Sequence, residues 1–287
     1  MKTLRTVADI RRALEPQRRR STIALVPTMG ALHAGHVALF DAARRACDVV
    51  VISVFVNPSQ FADPADLARY PRNEAHDERL AAGAGVDLCF APRVEELYPA
   101  GYATWVEVDG PALDLEGAHR PGHFRGVATI CTKLFNIVAP HVAFFGQKDA
   151  QQVAVVRRFV RDLNLDIDIR VVPIVRDLDG LALSSRNVHL STEERQSAVS
   201  MPRALDAGLS AFRDHQDPVA AARAVLSGYA GVDIDYVAVA TFEGQPTLVI
   251  AARVGATRLI DNVPLDLERS GSPGSPGSKD GLERVSR

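Results

Sequence analysis

His33 and His36 lie three residues apart in PTMGALHAGH (27–36), between an apolar β-branched run and a helical pattern, with Gly30 and Gly35 beside them. A strand, a glycine-bearing turn and a helix start together make an anion site. The first N–H groups of a helix have no intrahelical acceptor, and glycines let a ligand come close to the backbone. Two imidazoles add donors for phosphate oxygens, and a protonated ring adds charge that stabilises a leaving pyrophosphate. The competing readings are two ordinary loop histidines or half of a zinc site. Zinc needs further ligands, and no other His or Cys pair has ligand spacing.

Other clusters suit the same kind of ligand. In FFGQKDAQQ (144–152), Gly146, Lys148 and Asp149 fall between a strand-like run and a helix, and Gln152 lies one turn further on. Lysine is a compact charge for phosphate, and Asp149 can accept from ribose hydroxyls or adenine; a polar turn is the alternative. Only four of the 33 basic residues are Lys, so an internal Lys148 reflects a local demand. In LSSRN (183–187), Ser184, Ser185 and Arg186 offer two hydroxyls and a guanidinium to phosphate oxygens, or simply form a Ser/Asn turn. In FVNPSQF (55–61), Asn57 and Gln60 are neutral amides able to hold a carboxylate or hydroxyl, or the ends of an Asn-Pro turn. HRPGHFRGV (119–127) adds Arg120, His123 and Arg125, as a mobile lid or a solvated loop.

The elements that must position these groups alternate. Strand-like runs at 22–26, 49–56, 87–90, 142–145 and 167–175 are interleaved with helical patterns at 36–46, 78–84, 126–138 and 150–163. VVVISVFV has almost no polar alternation, as in a strand buried on both faces. This order predicts a Rossmann-like, doubly wound parallel α/β sheet, which binds ligands beyond its C-terminal strand ends. After residue 175 the pattern changes. Ser191 and Glu194 form a capping box that opens a long helix to about His215. A helix at 217–229 and three strand-like runs at 234–240, 247–254 and 257–263 follow, giving a small α+β domain. The expected organisation is a ligand-binding domain at 1–174, the small domain at 175–268 and a disordered Ser/Gly/Pro-rich tail at 269–287.

A net charge of −2 gives no electrostatic case for nucleic acid or an acidic membrane, and no apolar run is long enough to span a bilayer. The Arg-rich N-terminus could pass for a transit peptide. Val7, Ile10 and Leu14 at helical spacing favour a first amphipathic helix instead. Cys47, Cys89 and Cys131 are scattered and odd in number, which suggests buried reduced thiols in a cytoplasmic protein.

Taken together and in this order, PTMGALHAGH, FVNPSQF, DLARYPR (66–72), RPGHFRGV (120–127), FFGQKDAQQ, LALSSRN (181–187) and AARVGATRLIDN (251–262) resemble the pantothenate synthetase (pantoate–β-alanine ligase) family. The H-x-G-H element alone marks only the wider nucleotidyltransferase superfamily. The resemblance implies that pantoate is adenylated by ATP with Mg²⁺, and that β-alanine then displaces AMP. It places Met29, Gly30, Ala31, Leu32, His33, Ala34, Gly35 and His36 along ATP. It adds Gly146, Gln147, Lys148, Asp149, Val175, Leu183, Ser184, Ser185 and Arg186 to the ATP contacts. Gln60 and Gln152 take pantoate, with Gln60 also near β-alanine. His36, His33, Lys148 and Arg186 are the implied catalytic groups, His36 as the family's proton donor, and Asp77 is a magnesium contact. Our own reading gives His36 an electrostatic role, because adenylation needs charge stabilisation more than proton transfer. The family also implies a homodimer. The chain departs from the family pattern at Gln147, Ala150, Ala34 and Ser59, where Glu, Tyr, Glu and Met are common. We therefore expect activity with altered ATP affinity. The alternatives are another nucleotidyl-transferring enzyme or a non-catalytic nucleotide-binding protein.

Overall fold

The computed structural model describes residues 1–266, so the expected tail at 269–287 lies outside the described residues. The strands of the first sheet are β1 (Lys2–Leu4), β2 (Ile23–Thr28), β3 (Val49–Val54), β4 (Leu88–Phe90), β5 (Val142–Gly146) and β6 (Asp168–Val172). They are hydrogen-bonded in the order β1-β4-β3-β2-β5-β6, all parallel. The chain winds from β2 through β3 to β4 on one side and from β5 to β6 on the other. The switch point therefore lies between β2 and β5, where a doubly wound sheet opens a crevice.

Helices cover both faces of this sheet. They are α1 (Val7–Leu14), α2 (Ala34–Ala46), α3 (Pro64–Arg69), α4 (Glu74–Gly83), α5 (Val94–Leu97), α6 (Glu116–His119), α7 (His123–Val138) and α8 (Ala150–Asp162). On one face Leu25, Val51 and Phe145 pack with Ile10 and Leu14 of α1, Leu134 of α7 and Phe159 of α8. On the other, Val26, Val50 and Ile52 pack with Leu39 and Phe40 of α2 and Ala81 of α4. Successive residues of β2 and β3 point to opposite cores, which is why both strands read as unbroken apolar runs. Each fully buried aliphatic side chain contributes about 1.5–3 kcal/mol relative to exposure.

The N-terminal segment folds as the amphipathic α1, capped by the Thr6 hydroxyl accepting from the Asp9 N–H at 3.1 Å. The three cysteines are free and buried, and burial pushes the Cys89 and Cys131 thiols up to about 12.

Beyond β6 come α9 (Thr192–Ala198), α10 (Ser200–Arg213) and α11 (Pro218–Ser227), then β7 (Val232–Phe242), β8 (Gln245–Val254) and β9 (Thr257–Pro264). The three strands form an antiparallel meander with its own core, including Met201, Leu205, Leu226 and Leu248. Two details differ from the pattern reading. The helix expected over 191–215 breaks between α9 and α10, with Pro202 in the first turn of the second, where its missing N–H has no helical partner to lose. The last parallel strand ends at Val172, since Pro173 cannot donate to a ladder. The three-residue β1 is too short to show a period.

Candidate active site

The turn between β2 and α2 has two consecutive residues in the left-handed region, Gly30 at φ 80° and Ala31 at φ 50°. Asp77 of α4 holds it: its Oδ2 accepts the Ala31 N–H at 2.9 Å and its Oδ1 the Leu32 N–H at 2.8 Å. A Cβ on Gly30 would come 2.8 Å from Asp77 Oδ2, so the close carboxylate and the positive φ both require glycine. From the other side the Ser185 hydroxyl donates to the Ala31 carbonyl at 3.0 Å. The Asp77 carboxylate, which the resemblance assigns to magnesium, is buried and holds these two backbone N–H groups as the template of the turn.

His33 is the N-cap of α2, and its Nδ1 accepts the Gly35 N–H at 3.1 Å. His36 reaches back, its Nδ1 accepting the His33 N–H at 3.2 Å. This is a capping box built from two imidazoles, with ring centroids 4.2 Å apart. A nitrogen that accepts carries no proton, so each neutral ring bears its hydrogen on Nε2. Both rings line one cavity. Burial, the charge of Lys148 and a partly offsetting Asp149 take His33 down to about 4. Burial, the neighbouring His33 and Lys148 take His36 to about 3. Both are therefore neutral N–H donors near pH 7.

The next wall follows β3. Asn57 Nδ2 donates to the Gly126 carbonyl at 3.2 Å, and its Oδ1 accepts the Tyr98 hydroxyl at 2.9 Å. A carbonyl only accepts, which fixes the orientation of the Asn57 amide. Asn57 Nδ2 also lies 3.0 Å from Gln60 Oε1, so Gln60 must use its oxygen there and keep its NH₂ for another acceptor. Gln60 lines the cavity as a donor, the polarity that a carboxylate or alkoxy oxygen requires. The approach of α7 is tight: a Cβ on Gly126 would lie 2.4 Å from the Ser59 carbonyl oxygen.

Lys148, Asp149 and Gln152 follow β5 into the same cavity, and Val175, Leu183, Ser184, Ser185 and Arg186 enter from the segment after β6. Arg186 bonds Asp66 of α3 at 3.1 Å, so a phosphate taken by this guanidinium competes with a carboxylate already there. The cavity holds about 240 Å³. Met29, Gly35 and Gly146 also line it, whereas Gly30, Ala31, Leu32 and Ala34 shape the turn behind it.

Gln147 is turned away. Its Nε2 donates to Asn262 Oδ1 at 3.3 Å, while Asn262 Nδ2 donates to the carbonyls of Gln147 and Lys148 at 3.0 and 2.9 Å. The departure from Glu at this position therefore falls on a contact with β9. Ala150 is buried at the start of α8.

HRPGHFRGV is neither lid nor solvated loop, since His123 opens α7 and is buried. Sequence reasoning missed Glu116, Tyr236 and Arg258. The Glu116 carboxylate accepts from Arg258 at 2.7 and 2.8 Å, from the Tyr236 hydroxyl at 2.8 Å and from Arg120 at 3.4 Å. Burial alone would raise its pKa, but the Arg258 hydrogen bonds and charge, with Arg120, bring it down to about 2. These residues are far apart in the chain and share no local spacing, so no pattern marks them.

The chain matches the profile of the pantoate-beta-alanine ligase family over residues 2–264. It belongs to that family. The pantothenate synthetase of Moorella thermoacetica is 50% identical over 281 residues, covering 93% of this chain and 99% of the relative. That of Rhizorhabdus wittichii is 51% identical over 280 residues, covering 93% and 99%. The crystal structure of pantothenate synthetase from Thermus thermophilus superposes with a TM-score of 0.88 at 46% identity, covering 92% of this chain and 99% of that one. The pantoate-beta-alanine ligase of Francisella tularensis, solved in complex with beta-gamma ATP and beta-alanine, gives 0.82 at 32% identity, covering 92% and 98%. A pantoate–β-alanine ligase must bring an acid, a triphosphate and an amine together, and this cleft holds donors for the first two.

Proposed function

We propose that this cleft joins pantoate to β-alanine in two steps, through a pantoyl adenylate. The observation that carries the reading is the pair of neutral imidazoles at the start of α2, lining one cavity with Lys148, Arg186 and the donor face of Gln60. In the first step a pantoate carboxylate oxygen attacks the α-phosphorus of ATP, and the bond from that phosphorus to the bridging oxygen breaks. Negative charge grows on the departing pyrophosphate. The Nε2–H groups of His33 and His36, the Lys148 ammonium, the Ser184 hydroxyl and the Arg186 guanidinium are the donors placed to meet it. Gln60 and Gln152 hold the acid. In the second step the β-alanine amine attacks the activated acyl carbon, the C–N bond forms and the C–O bond to AMP breaks. No covalent attachment to the protein is needed.

Among the described residues there is no cluster of three metal-ligating side chains, and Asp77 is committed elsewhere. The donor set does not fit a resident ion, so Mg²⁺ arrives with the substrate, carried on the ATP phosphates. The C-terminal sheet with α9–α11 closes over the cleft. The family resemblance supports a homodimer. The three free, buried cysteines support a cytoplasmic location. Among the described residues no helix is long and apolar enough to cross a membrane.

The test is AMP formation with pantoate and β-alanine, omitting each in turn. AMP made only when both are present is the expected result. Pyrophosphate exchange into ATP with a different acid, and not with pantoate, would overturn the substrate assignment.

A further inference from the structure

We propose that His123 is a positioning residue for Gln60, and that Glu116, Arg120 and His123 carry the docking of the C-terminal sheet to the acid-substrate pocket. The inference rests on the reading of Gln60 as a contact for the acid.

His123 Nδ1 lies 2.9 Å from the Gln60 carbonyl oxygen, and its Nε2 lies 3.1 Å from an Arg120 Nη1. The carbonyl can only accept and the guanidinium can only donate. His123 is therefore neutral, with its hydrogen on Nδ1, the opposite tautomer from His33 and His36. The residue is 6% exposed, which leaves water little part in that choice. Burial and the charge of Arg120 hold its pKa near 3, which agrees with the geometry. The outcome is an oriented donor on the Gln60 backbone, while Asn57 fixes the Gln60 side chain. Gln60 is thus pinned at both ends, with its NH₂ turned to the cavity.

Arg120 is set in turn by Glu116, whose side chain is 7% exposed. Its nearest donors, Tyr236 on β7 and Arg258 on β9, come from the second sheet, and Arg258 is itself held by Asp235 at 2.5 Å. Were that sheet displaced, Glu116 would lose a guanidinium and a hydroxyl at once, and Arg120 would be the cation left beside it. An Arg120 drawn fully onto Glu116 leaves His123 Nε2 without its donor. The tautomer is then no longer fixed, nor is the hydrogen bond to Gln60. Sheet docking and acid recognition are linked through three side chains.

The primary test is Tyr236→Phe, which removes the hydroxyl on Glu116 and keeps a ring that packs 5.4 Å from His119. The expected result is a KM for pantoate raised about fivefold, from the loss of one hydrogen bond to a buried charge, with the ATP KM within about twofold of wild type. His123→Gln should raise the pantoate KM about tenfold. His123→Asn, whose amide nitrogen can occupy the Nδ1 position, should restore most of it. ¹⁵N-histidine NMR of the wild type should show His123 as the Nδ1–H tautomer. An Nε2–H tautomer at His123, or a Tyr236→Phe that changes neither KM or both equally in an active enzyme, overturns this inference alone. A wild-type protein that makes no AMP from pantoate and β-alanine together overturns it along with the functional reading.

Discussion

His36 Nδ1 accepts the backbone N–H of His33 at 3.2 Å, and so is committed to the helix cap. The same cap leaves His33 with Nδ1 on Gly35. Both rings are thereby held as Nε2–H donors at the mouth of α2. The cap and the proposed phosphate site are one structure, which accounts for two histidines where Ser or Asp would suffice for capping alone.

His36→Asn separates these two roles. The asparagine oxygen can take the place of Nδ1 and keep the cap, but nothing replaces Nε2–H. We expect a melting temperature close to wild type, with adenylation slowed about 100-fold, the scale for removing a donor to developing charge. Pyrophosphate exchange measured from pH 5.5 to 8.5 should keep the shape of the wild-type profile with a lower plateau. Loss of an acid limb in the variant would make His36 a proton donor instead.

Acid should destabilise the fold before its carboxylates titrate. His33, His36 and His123 sit at about 4, 3 and 3 when folded, against 6.5 as ordinary histidines. Below pH 6.5 the unfolded chain binds protons that the folded chain refuses, so stability is complete above that pH and falls as pH drops toward 4. Each fully shielded histidine adds a slope of up to about 1.4 kcal/mol per pH unit, and His33, which solvent reaches, adds less. Glu116, held at about 2, adds its own loss only below its ordinary 4.5. Urea unfolding between pH 4 and 7 gives the slope. A flat profile from 6.5 to 5 would exclude the buried neutral rings.

Asp66→Asn should make ATP binding easier. Asp66 holds Arg186 through a half-exposed ion pair at the edge of the cleft. Such pairs contribute about 0.2–1 kcal/mol, so removing this one should lower the ATP KM by up to about fivefold, less at high salt. An ATP KM that rises would show that Asp66 helps to hold the nucleotide.

Asp77→Asn tests the turn. One amide group cannot accept both backbone N–H groups as a carboxylate does, and we expect a loss of about 1–3 kcal/mol in stability with a raised ATP KM. The dependence of rate on free Mg²⁺, measured at saturating ATP, should not move. A shift in that dependence would return Asp77 to the metal.

The sequence by itself carried the alternation of strands and helices, the capping box at Ser191, the meander and the polar clusters that line one cavity, because these are written in local periods and turn residues. Apolar runs such as VVVISV announce a strand buried on both faces, and His33, Lys148 and Ser184 lie in segments whose composition suits phosphate. The tertiary structure decided what has no local period. It gave Asp77 to the Ala31 and Leu32 N–H groups, turned Gln147 to Asn262 and made His123 a buried helix residue. It also brought Tyr236 and Arg258 onto the buried Glu116 across up to 142 residues of chain. Hydrogen-bond direction and tautomer depend on which partner lies within about 3 Å. Such distances are set by how sheets and helices pack, so residue order fixes the groups while packing chooses their partners.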